Sequence, residues 1–177
     1  ELYFTSGGTE SNNLAIFGAA YARRKRGNHI VTTMIEHPSV LNTMKQLEAE
    51  GFSVTYLKPD AKGQIQPEQV FGAGTADTIL VSMMCVNNEV GSILPLEAAS
   101  AAIASVRAPA LFHVDAVQAF GKLPLKPGKL KIDLMSVSAH KIHGPKGVGA
   151  LYLKKGVHIV PRFYGGGQEK NIRPGTE

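Results

Sequence analysis

The sequence predicts an α/β fold, a mainly parallel sheet flanked by helices, and three observations carry that expectation. Short β-rich runs alternate with helix-period segments along the 177 residues. The run 78–84 (TILVSMM) is apolar on both faces, as a strand covered by helices on either side has to be. The composition is globular, with 44% apolar and 19% charged residues, and no linker-like, low-complexity or repeated stretch divides the chain. One domain over 1–177 is the simplest organisation.

The elements follow in order. Residues 1–5 read as a strand, and Gly7-Gly8 turns the chain into a helix over 9–26, with Leu14, Phe17, Gly18 and Tyr21 on one face. Residues 29–33 (HIVTT) form a short strand. Pro38 opens a helix over 38–50 that Gly51 ends, because proline suits a first helical turn. A strand at 53–57 (SVTYL), a polar turn and a short helix near 67–71 come next. After the strand at 78–84 a helix is expected over 96–106. Strands at 110–114, 132–136 and 147–153 complete the set.

Charge and cysteine content exclude several classes of function. The formal net charge is +5, and its densest run, Arg23-Arg24-Lys25-Arg26, sits at a helix end, where cations complement the helix dipole. The other basic residues are scattered, so no nucleic-acid partner is expected. No stretch approaches the roughly 20 apolar residues that span a bilayer, so no membrane partner is expected either. No signal segment opens the chain, although the absence of an initial Met suggests that its start is missing. The single cysteine, Cys85, allows no internal disulfide and points to a reducing, cytoplasmic setting. No metal is expected.

In a parallel sheet, ligands bind beyond the carboxyl ends of the strands. The residues there are Ser6-Gly7-Gly8-Thr9, Glu36-His37, Asn87-Asn88-Glu89, Asp115 to Gln118 and Ser138 to Lys141, all polar or ionisable loops. Gly7-Gly8-Thr9 would expose the free N–H groups of a helix start to a single phosphate, with Thr9 adding a hydroxyl; a plain capped turn is the other reading. Asp115, at a buried strand end, needs a cation or donors, or else serves as a helix N-cap. Lys141 in an apolar setting would lose its proton easily and form Schiff bases; a solvated lysine is the alternative. Together, a phosphate cradle, a buried acid and a lysine at neighbouring strand ends match what pyridoxal phosphate requires.

The run His113-Val114-Asp115-Ala116-Val117-Gln118, followed by SAHKIHGPKG at 138–147, closely resembles class V (fold type I) pyridoxal-phosphate enzymes. TSGGTESNNLAI, EHPSV, SMMCVNNEVG and GGGQEKNIRPGTE extend the resemblance over essentially the whole chain, and it is strongest to cysteine desulfurases of the NifS and IscS kind. The motifs are highly specific for the class and less so for the desulfurase subgroup. The resemblance implies a homodimer that takes L-cysteine to L-alanine and passes sulfur, as a persulfide, to an acceptor or scaffold protein. Alternatives are a selenocysteine lyase, an aminotransferase or a non-catalytic cofactor-binding fragment.

Carried over residue by residue, the resemblance implies that Lys141 holds the cofactor as a Schiff base and moves the substrate proton. Asp115 would pair with the ring nitrogen, His37 stack on the ring and assist proton transfer, and Gln118 donate to the ring oxygen. Gly8, Thr9, Ser138 and His140 would hold the phosphate, Asn88 would contact substrate, and Thr176 would reach the phosphate of the partner subunit. Lys146 competes with Lys141 as Schiff-base former, but its flanking glycines suggest a turn. The family's persulfide cysteine and carboxylate-binding arginine are expected beyond Glu177. The chain is therefore expected to be a partial cofactor-binding large domain, without the family's N-terminal segment and small C-terminal domain, and inactive alone. Cys85 is expected to be buried and inert.

Overall fold

The computed structural model describes residues 1–106 and 108–176; Arg107, and Glu177 at the end of the terminal motif, lie outside the described residues. The strands are β1 (Leu2–Thr5), β2 (His29–Thr33), β3 (Ser53–Leu57), β4 (Thr78–Met84), β5 (Leu111–Asp115), β6 (Leu134–Ser138) and β7 (Gly149–Leu153). The helices are α1 (Gly8–Arg23), α2 (Pro38–Ala49), α3 (Pro67–Ala73) and α4 (Leu96–Ser105). Among the described residues, seven strands form one sheet in the order β1-β7-β6-β5-β4-β2-β3.

Strands β6, β5, β4, β2 and β3 are parallel neighbours, while β7 runs antiparallel to both β6 and β1. Two reversals cancel, so β1 points the same way as β6. The carboxyl end of β1 therefore emerges on the same rim as those of β6, β5, β4 and β2. Thr5 and Ser138 both face Gly149 in register. A Cβ on Gly149 would lie 2.6 Å from the Cα of Gly7, so only glycine lets the β1–α1 loop cross here.

Alternation along the strands builds two cores. Ile30, Leu80, Leu111, Leu134 and Leu151 pack under α1 and α2, against Leu14, Ile16, Val40, Met44 and Leu47. Val31, Val81, Phe112 and Met135 face the other way, against Val70 of α3 and Ala99 and Ala102 of α4. Between the layers, the buried His113 ring bridges strands, 2.9 Å from Ser82 Oγ and 3.0 Å from Ser136 Oγ. Burial pushes its pKa down to about 3, so it is a neutral structural tie.

Several boundaries depart from the sequence expectation. Helix α1 stops at Arg23, because Arg26 N–H already turns back to the Arg23 carbonyl at 2.7 Å. A Cβ at Gly27 would come 2.3 Å from the Asp77 carbonyl oxygen, so the chain must leave the helix to pass this backbone. Only Arg23 of the basic run thus lies in the last helical turn. Strand β6 begins two residues later than expected, since Ile132 N–H is taken by the Pro127 carbonyl. Gly147, at φ +78°, belongs to the turn before β7 rather than to the strand.

Candidate active site

The rim where the parallel strands end carries a cleft of about 220 Å³. Helix α1 contributes Gly8, Thr9 and Asn12; the β2–α2 connection contributes His37 and Ser39; the end of β4 and its loop contribute Met84 and Asn88. Asp115, Val117 and Gln118 enter from β5, and Ser138, His140 and Lys141 from β6 and the single 3-10 turn that follows it. Nine of the residues singled out from sequence thus meet in one place.

Each wall has a local cause. Gly7, at φ 152°, caps α1 with no side-chain bond, so the first-turn N–H groups have no intrahelical acceptor and remain available to an anion. A Cβ on Gly8 would sit 2.8 Å from Val117 Cγ2, so a bare backbone is needed where the two loops touch. Ser138 Oγ and His140 Nδ1 lie 2.8 Å apart beside this helix start. Glu10 Oε2 accepts the Ser6 N–H at 2.7 Å, and Glu10 pairs with Arg173 (Nε to Oε1, 2.7 Å), tying the start of α1 to the last segment of the chain.

Asp115 forms the buried floor. Its Oδ1 accepts the Val117 N–H at 3.0 Å, and Oδ2 accepts Nδ2 of Asn12 at 2.7 Å. Burial pushes its pKa above the usual carboxylate range, against the lowering pull of these donors and of His37. The same Asn12 Nδ2 donates to Ser39 Oγ at 2.9 Å, and Ser39 Oγ is 2.8 Å from His37 Nδ1. Beneath the cleft, the buried Glu36 accepts Met84 N–H at 2.9 Å and the Thr33 hydroxyl at 2.7 Å through Oε1. Burial pushes Glu36 up to about 8, with the Asp115 charge adding to the rise.

Lys141 is exposed on the cleft wall, so the apolar enclosure expected from sequence does not surround it. Lys146 stays in the following turn, outside the cleft lining. Thr176 lies apart, in a wider depression of about 900 Å³ with Glu10, Arg162, Tyr164 and Arg173, which shares only Thr9 with the cleft. Cys85 is buried and its pKa is pushed up to about 11, first by burial and then by Glu97. The burial is as expected, and the raised pKa disfavours the thiolate. Sequence reasoning did not single out Asn12 and Ser39. The available signal was a polar residue on the helix stripe that continues through Ile16 and Ala19, and the serine within EHPSV.

The fold and this cleft define a class. Residues 1–175 match the family model described as aminotransferase class-V, and the chain belongs to that family. Within it, the chain is 50% identical over its whole length to cysteine desulfurase IscS of Methanosarcina thermophila, covering 43% of that protein. A solved NifS-like protein superposes with a TM-score of 0.95 at 47% identity, over all of this chain and 48% of that one. SspA, solved in complex with cysteine, gives a TM-score of 0.93 at 44% identity, over 99% of this chain and 51% of that one. The chain spans less than half the length of the curated relatives it matches.

Proposed function

We propose that the chain forms the pyridoxal-phosphate-binding large domain of a cysteine desulfurase, a homodimeric cytoplasmic enzyme that takes L-cysteine to L-alanine and hands the sulfur to an acceptor protein. The convergence of a phosphate cradle, a buried acid and a lysine in one cleft carries this reading. The residues fit the cofactor. Asp115 is a buried carboxylate with two neutral donors and no cation bonded to it among the described residues, a setting that a protonated ring nitrogen would complete. The uncapped start of α1, with Thr9, Ser138 and His140 beside it, fits one phosphate. Both neighbouring folds and relatives named as desulfurases support the substrate assignment.

When bound, pyridoxal phosphate supplies an electron sink for negative charge developing at the substrate α-carbon. The chain's own residues do the rest. Asp115 would accept from the ring nitrogen and keep it protonated. The Lys141 amine would hold the aldehyde carbon and, once the substrate amine has displaced it there, would be free to take the substrate α-proton and return it. His37 would cover the ring, Gln118 would donate to its oxygen, and Asn88 would touch the substrate; all three line the cleft. Thr176, which lies outside this chain's cleft, would serve the phosphate of the partner's site. Sulfur removal needs an accessible thiolate, and a buried thiol raised to about 11 does not supply one, so Cys85 is not the persulfide carrier.

The test is Lys141→Ala in the full-length enzyme, with alanine formation and borohydride-trapped cofactor both measured. We expect turnover to fall at least 1,000-fold, on the order of what loss of a covalent catalyst costs, and trapping to disappear. Retained trapping would move the Schiff base to Lys146 and overturn the assignment.

A further inference from the structure

We propose that Asn12 is a positioning residue whose amide clamps the Asp115 carboxylate and, through Ser39, the ring of His37, so that floor and cover of the cleft form one hydrogen-bonded unit. This rests on the reading that the cofactor ring lies between Asp115 and His37.

Asn12 sits in the second turn of α1 and is 1% exposed. Its Nδ2 carries two hydrogens, and both are used: one to Asp115 Oδ2 at 2.7 Å, the other to Ser39 Oγ at 2.9 Å. An ionised carboxylate only accepts, so Asp115 dictates which end of the amide faces it. Ser39 Oγ, already accepting from Asn12, is free to give its own hydrogen to His37 Nδ1 at 2.8 Å. The Ser39 N–H donates to the same nitrogen at 3.1 Å. Nδ1 is therefore an acceptor twice over, and the proton of the neutral ring belongs to Nε2.

Every bond in this chain points from Asn12 outward. The amide joins groups from three elements that are far apart in sequence: α1, the end of β5 and the start of α2. Its own Oδ1 is buried with no partner among the described residues. An amide whose only task was to fasten helices together would be expected to satisfy both ends. This one spends both hydrogens on the site and leaves an acceptor over.

The test uses the full-length enzyme carrying Asn12→Ala, Ser39→Ala and the double change. Three quantities are read: melting temperature, pyridoxal-phosphate affinity and visible absorption maximum by titration, and ¹⁵N shifts of the His37 ring in the unloaded protein. Losing a hydrogen bond to a buried charge should weaken cofactor affinity about tenfold in Asn12→Ala, with a moved absorption maximum. Ser39→Ala should do less, and the double variant should be no worse than Asn12→Ala, because the chain is already broken. The His37 Nδ1 resonance should move in both single variants.

Affinity and absorption maximum unchanged in Asn12→Ala, or losses that simply multiply in the double variant, would overturn the clamp. Should Asn12→Ala not fold, Asn12→Leu, which is close in volume and has no polar side-chain atom, removes both donors without adding a charge and is read the same way. Wild-type protein that takes no cofactor would defeat the functional reading alone. The His37 shifts would then still decide the clamp: movement in the single variants supports it, and no movement sinks it.

Discussion

Asp115 and Asp133 are the same residue type at opposite rims of one sheet, and they have opposite fates. Asp133 lies at the amino ends of the parallel strands, just before β6. Its Oδ2 accepts the Phe112 N–H at 3.0 Å and its Oδ1 pairs with Lys154 at 3.0 Å. Each oxygen is engaged, one of them by a cation. Asp115, at the carboxyl end of β5, has two neutral donors and a pKa raised by burial. One carboxylate is ion-paired within the fold, while the other takes only neutral hydrogen-bond donors and has no ion pair among the described residues. Burial and hydrogen bonding alone do not mark a functional acid.

The largest expected effect breaks the comparison at its functional end. Asp115→Asn in the full-length enzyme should lower turnover at least 100-fold, as loss of a buried charge facing the reacting group typically does, while Asp133→Asn should stay within about twofold. Equal losses in steady-state rates would show that both rims matter alike. A second, intermediate effect concerns Glu36, the other acid beneath the cleft. Its folded pKa is raised, so its contribution to stability is fully present below its ordinary 4.5 and lost as pH rises through about 8. Glu36→Gln, a mimic of the protonated acid, should flatten the melting temperature between those limits and leave the variant the more stable at pH 9. A wild-type curve already flat there would mean that Glu36 stays ionised.

The smallest effect belongs to the structural rim. Lys154 is about half exposed, so solvent screens its pair with Asp133, and Lys154→Ala should cost less than about 1 kcal/mol. Asp133→Ala also strips the Phe112 N–H of its acceptor and should cost about 1–3 kcal/mol. Urea melts of the two variants, read side by side, check the ranking.

Much of this was legible in the sequence. The α/β class followed from alternating periods, and the rule that ligands sit at strand ends led to nine residues that do converge. Direction was not legible: an apolar strand reads the same either way, so the reversal of β7 needed its neighbours. Sequence did set Asp115, just after an expected strand, apart from Asp133, inside one, but the partners each carboxylate takes were visible only in three dimensions. Asn12 escaped for a similar reason. Its meaning depends on an acid 103 residues away, and a helix pattern records only that a polar side chain interrupts the stripe.

The pairing of β1 with β7 has a consequence for the order of events during synthesis. Strand β1 is made before the other described strands, yet its sheet partner among the described residues is residues 149–153, more than 140 residues later. Until that segment leaves the ribosome, α1 has no anchored strand leading into it, and the glycine turn that would cradle the phosphate has nothing to hold its shape. The central strands can assemble in advance, since their contacts are nearer in sequence. On the proposed function, cofactor loading would await the arrival of one reversed strand, and a nascent chain halted before residue 149 should be unable to retain pyridoxal phosphate.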